Sequence, residues 1–125
     1  MRPPTPPPGT AGAGAAGLAR LAWRPVLGIA AGFVALELAV AARYGFHRDE
    51  LYFLACARHL SWGYVDQPPF VPAVARLATA VFGSSVVGLR LLPALAGGAA
   101  VLFTGLMARE LGGGPRAQAV AALAA

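Results

Sequence analysis

The stretch VLGIAAGFVALELAVAA, residues 26–42, decides the fold. Sixteen of its seventeen residues are apolar or Gly, and Glu37 is the exception. As a helix rising about 1.5 Å per residue it reaches about 25 Å, just short of a hydrocarbon core of ~30 Å. Counted from Leu21, with Arg24 reaching back to the headgroups, it is long enough to cross, which predicts a span over about residues 21–42. Gly28-Ile29-Ala30-Ala31-Gly32 has the small-xxx-small spacing that permits close helix packing. Such spacing arises readily by chance in Gly/Ala-rich segments and carries little weight. Glu37 admits two readings: a carboxylate that reaches the interface or pairs with a neighbouring helix, or one that faces a substrate cavity. The run also admits a signal-peptide reading, with Ala39-Val40-Ala41 as the cleavage site, against which stands an unusually long Pro-rich leader.

Composition agrees with a membrane assignment. The 125 residues are 58% hydrophobic and 12% charged, with mean hydropathy +0.64. Soluble domains carry about 45–50% apolar and about 25% charged residues. All ten basic residues are Arg, and the net charge of +5 is spread along the chain. No basic stripe with interleaved aromatics occurs, so nucleic acid is not an expected partner. The arginines suit lipid phosphates or orientation signals at span ends. Cys56, the single cysteine, excludes an internal disulfide and a multi-Cys metal site.

Working outward, residues 1–17 (MRPPTPPPGTAGAGAAG) read as a disordered tail with nothing to form a core. Residues 18–125 read as one all-α membrane unit. Residues 43–85 form a loop between spans. It holds a short helix over Asp49–Leu60, with Asp49 as N-cap or first-turn residue. A second, amphipathic segment runs from Phe70 to a stop at Gly83, fit to lie in the interface plane. A second span covers about 86–111, with Arg90 and Arg109 bracketing its uncharged centre and Pro93 near its start. Gly112-Gly113-Gly114-Pro115 is a turn, and residues 115–125 begin a third apolar helix too short to cross. The expectation is an N-terminal fragment of a polytopic protein. Arginines flanking the span pair favour a cytoplasmic N-terminus and an extracytoplasmic loop 43–85.

That loop holds three of the five acidic residues, Asp49, Glu50 and Asp66. A reversal at Gly63 would bring Asp66 back toward Asp49. A carboxylate at a helix start is kept ionised by backbone N–H groups, ready to accept a proton or hold a cation. His47 and His59 lack metal-ligand spacing. Tyr52, Trp62 and Tyr64 suit headgroup depth or sugar stacking. The plainer reading keeps Asp49-Glu50 as a helix cap, Arg48 and Arg58 as solvated partners, and the rings as an interface belt.

Arg48-Asp49-Glu50-Leu51-Tyr52-Phe53, Ala57-Arg58-His59-Leu60, Gly63-Tyr64-Val65-Asp66-Gln67-Pro68-Pro69, Arg90-Leu91-Leu92-Pro93 and Ala108-Arg109-Glu110-Leu111-Gly112 occur in that order. In order and spacing this resembles the N-terminal part of glycosyltransferase family 39, over about residues 26–125. The family includes protein O-mannosyltransferases and bacterial transferases that use polyprenyl-phosphate sugars. The resemblance implies a GT-C-like polytopic helical fold whose first external loop joins the active site. It implies Asp49 as catalytic base or acceptor-orienting carboxylate, with Glu50 supporting the site. Arg58 or Arg90 would approach the lipid phosphate, Tyr64 would contact substrate, and Asp66 would sit near a divalent metal, if one is used. Relatives often read Asp-His-Pro-Pro where this chain has Asp66-Gln67-Pro68-Pro69, so the His is replaced here.

The expected function is transfer of a sugar from a polyprenyl-phosphate carrier to a glycan, lipid or protein acceptor at the extracytoplasmic face of the cell membrane. A 125-residue chain on its own is expected to be inactive. The alternatives are a non-enzymatic small subunit or scaffold, and part of a transporter that works through Glu37.

Overall fold

The computed structural model describes residues 19–125; the expected tail lies outside them. Among the described residues all regular structure is helical: α1 Trp23–Ala41, α2 Arg48–Arg58, α3 Phe70–Phe82, α4 Val86–Glu110 and α5 Pro115–Ala124. Both expected spans appear as single helices, α1 with 19 residues and α4 with 25. Each is long and apolar enough to cross a membrane. Only 17% and 22% of their most apolar windows are buried. A soluble protein would bury such helices, whereas here Leu36, Phe103 and Met107 face outward at 64–65% exposure. α4 continues through Pro93, which lies in its second turn. α5, at 10 residues, reaches about 15 Å and does not cross.

α1 and α4 pack along their lengths, and the small residues that permit this lie on α4. A Cβ on Gly98 would stand 2.6 Å from Val34 Cγ2, and one on Gly105 2.7 Å from Val26 Cγ1. Gly97 receives the Phe33 ring in the same way. Gly28 and Gly32, the spaced pair on α1, have nothing within 4 Å. The seam is therefore formed by α1 side chains entering glycine notches on α4, and the Gly28/Gly32 pair faces away from it.

Two small cores result. Val26, Ala30, Val101 and Ala122 join α1, α4 and α5. Ala57, Ala75, Ala78 and Leu89 join α2 and α3 to the start of α4. Both are rich in alanine, so each residue buries little apolar area and the helices stand close.

The ends are set by local chemistry. Gly83 (φ 66°) stops α3. Gly112 (φ 83°) stops α4 in a Schellman arrangement. The Gly113 N–H donates to the Ala108 carbonyl (2.8 Å) and the Gly112 N–H to that of Arg109 (2.9 Å). α2 starts one residue before Asp49, because its cap is His47. The His47 Nδ1 accepts the Asp49 N–H (3.3 Å), and Glu50 Oε2 accepts the His47 N–H (2.7 Å). This is a capping box with imidazole in place of a hydroxyl. Asp49 is therefore a first-turn residue, and the capping atom belongs to its neighbour. α2 ends at Arg58, two residues before the expected Leu60.

Candidate functional site

Glu50 and Arg90, read separately from the sequence, form one ion pair. Arg90 Nε meets Glu50 Oε1 at 2.6 Å and Nη2 meets Oε2 at 2.8 Å. Nη1 donates to the Ala41 carbonyl (2.8 Å) and Nη2 also to that of Gly45 (3.0 Å). One guanidinium thus ties the end of α1, the linker after it and the first turn of α2 to α4. Both side chains are mostly covered, with 23% and 19% exposed. The Arg90 guanidinium, together with the His47 N–H, holds the Glu50 carboxyl below its ordinary 4.5 against the opposing effect of burial.

Fixing Glu50 in this way sets the rotation of α2 and turns Asp49 outward. Asp49 is 59% exposed, with Arg48 Nε at 3.5 Å and His47 Nδ1 at 3.7 Å. One turn further on, the Tyr52 hydroxyl donates to Asp66 Oδ1 at 2.7 Å. The Asp66 carboxylate holds this phenol above its ordinary 10.0, with the Cys56 thiol as a second cause. The neighbouring Gln67 amide reaches Cys56 Sγ at 3.7 Å. Asp49, Tyr52 and Cys56 are spaced three and four apart and share one face of α2. The chain after Gly63 therefore does return along α2, where Asp66 meets Tyr52 rather than Asp49.

Tyr64 secures this reversal. Its hydroxyl accepts the Ser61 N–H (3.2 Å) and lies 3.0 Å from the carbonyls of Cys56 and His59. Those contacts close the C-terminal end of α2. Arg58 is nine residues beyond Asp49, which places it half a turn round on the opposite face of α2. Among the described residues no three His, Cys, Asp or Glu side chains converge. Asp66 and its neighbours do not by themselves make up a cation site.

A cavity of about 530 Å³ opens beside the Glu50–Arg90 pair. Phe33, Phe53, Val71, Val74, Leu89 and Pro93 form its apolar wall, with Glu37, Glu50 and Arg90 as its charged lining. Among the described residues Glu37 has no hydrogen-bond or ion-pair partner. Of the sequence readings of Glu37, pairing with a neighbouring helix is not seen among the described residues; the side chain lines this cavity.

The far end of the helix pair holds a polar residue that the sequence reading passed over. Gln118 is fully buried. Its Oε1 accepts the Ala22 N–H (2.8 Å), and its Nε2 donates to the carbonyls of Gly113 (2.9 Å) and Arg20 (3.1 Å). Arg109 Nε adds a bond to the Ala19 carbonyl (3.0 Å). A lone Gln in an Ala-rich segment gives no sign of such partners. The roles of His47 and Tyr52 were equally hidden, since each depends on a contact rather than a motif. Comparison with protein-family models, with curated proteins and with solved structures finds no match for this chain.

Proposed function

We propose that this chain contributes to a membrane glycosyltransferase of the GT-C kind, which moves a sugar from a polyprenyl-phosphate carrier to an acceptor at the extracytoplasmic face. The observation that carries the reading is the division of labour between adjacent carboxylates. Glu50 is locked to Arg90, while Asp49 is held exposed beside it.

In this reading Asp49 accepts the proton of an acceptor hydroxyl as its oxygen bonds to the anomeric carbon. The bond from that carbon to the phosphate oxygen breaks, and its electron pair leaves with the polyprenyl phosphate. The proton then passes from Asp49 to water. The apolar cavity offers a wall for isoprenoid chain. Arg90 is taken up by Glu50 and two carbonyls, so the charge that meets the departing phosphate would come from another cation. Tyr52 and Asp66 border the acceptor side. A divalent metal at Asp66 would require oxygen ligands from the substrate or from other groups.

The test is Asp49→Asn in the complete protein, assayed with a radiolabelled polyprenyl-phosphate sugar. The transferase reading expects transfer to fall by about 10²-fold or more with membrane insertion intact. Unchanged transfer, or none detected in the wild type across donors, sinks it.

Glu37 favours a second reading, a transporter in which this cavity carboxylate is the working group. There Glu37→Gln abolishes uptake while Asp49→Asn leaves it intact.

A further inference from the structure

On the opposite side of α2 from Asp49, a second cavity of about 300 Å³ lies between α2 and α3. Arg58, Arg76, Thr79 and Ser84 line it, with Leu54 and Ala57 at its apolar edge. The loop's carboxylates are engaged elsewhere: Asp49 beside Arg48 and His47, Glu50 with Arg90, Asp66 with Tyr52. Among the described residues, neither Arg58 nor Arg76 has a carboxylate within ion-pair distance. Arg58 sits in the last turn of α2, where the negative end of the helix already favours a cation. Arg76 lies in the middle of α3 and has no such support. Two like charges beside one cavity repel unless an anion lies between them.

From this geometry we propose that the cavity between α2 and α3 binds a phosphate-type oxyanion between Arg58 and Arg76. Two planar guanidinium forks match tetrahedral oxyanions with paired N–H donors. Thr79 already donates its hydroxyl proton to the Arg76 carbonyl (2.9 Å), which leaves its oxygen as an acceptor. Ser84, at the cavity edge, supplies a further donor. A protonated phosphate or a phosphodiester uses both kinds of group. The source is either free phosphate or the headgroup of an anionic phospholipid, and the exposed Leu77, Val81 and Phe82 of α3 suit acyl chains in the second case. The resemblance gives Arg58 or Arg90 to a donor lipid phosphate; the site here pairs Arg58 with Arg76 and stands on its own geometry, because its test reads binding and not sugar transfer.

The full chain is purified in dodecyl maltoside. Inorganic phosphate is titrated by calorimetry, and retention of phosphatidylglycerol is followed by native mass spectrometry. Binding of either probe, weakened about tenfold or more in Arg58→Gln/Arg76→Gln, supports the site. Phosphate binding alone assigns the free ion, and lipid retention assigns the headgroup. Both arginines are exposed, so helical content and unfolding temperature should stay unchanged in the double variant. If that variant unfolds, Arg76→Lys decides: weaker binding supports the site and equal binding overturns it. Absence of binding by both probes, or equal binding by wild type and the folded double variant, also overturns it.

Discussion

Arg90 grips both carboxylate oxygens of Glu50, at 2.6 and 2.8 Å, across 40 residues of sequence. The pair also carries two backbone carbonyls from the end of α1 and its linker. A charge-assisted, two-pronged contact of this kind fixes orientation as well as distance.

Glu50→Gln leaves a mostly covered guanidinium without its counter-charge. We expect a loss of about 2–3 kcal/mol, just below the range of about 3–5 kcal/mol for fully buried pairs, because both side chains keep some exposure. Thermal unfolding in detergent checks it. The cycle Glu50→Gln, Arg90→Gln and the double variant should show coupling of about 1–3 kcal/mol.

The same pair predicts a pH dependence. The Glu50 carboxyl lies below its ordinary 4.5 in the folded chain. Its contribution is therefore complete above the unfolded value and is lost as pH falls through the lower folded value. Unfolding temperature should drop on titrating from about pH 5 downward, and the drop should be smaller in Glu50→Gln. Equal drops in the two proteins would show that other carboxylates control acid stability.

Tyr52 should titrate above its ordinary 10.0, because ionising it places a phenolate against the Asp66 carboxylate. Absorbance near the phenolate band should show one late transition in the wild type. Asp66→Asn should move that transition down toward 10.0, and Tyr52→Phe should remove it.

The glycines of the two long helices should respond in opposite ways. Gly98→Val and Gly105→Val push side-chain atoms into Val34 and Val26 and should each cost about 1–3 kcal/mol. Gly28→Ala and Gly32→Ala meet open space and should leave stability unchanged or raise it by up to about 1 kcal/mol.

These contrasts mark what the sequence made legible. α1, α3 and α4 could be read within a few residues, since an apolar run, a flanking Arg and a stopping Gly are local signals. The loop reversal was readable for the same reason, through Gly63 and the prolines after it. Which face of α1 meets α4 was not, because Gly28 and Gly32 match a packing pattern that names no partner. The Glu50–Arg90 pair was missed although both residues had been marked: their spacing of 40 carries no periodicity. His47 as a cap was missed because imidazole rarely serves there. Asp49, Asp66 and Tyr64 were picked out by residue type, yet Tyr64 spends its hydroxyl on the end of α2, and Asp66 takes the Tyr52 hydroxyl. Contact, unlike composition, depends on how helices are rotated, and short-range patterns do not encode that rotation.

Gln118 also imposes an order on biosynthesis. The Ala22 N–H at the start of α1 finds its partner 96 residues later in the chain. At about 5–20 residues per second, roughly 5–20 s pass between translation of the two. Throughout that interval the first long helix has an unfinished start, and only the arrival of α5 seals it. The start of α1 is thus completed only once the last of the five described helices has been made.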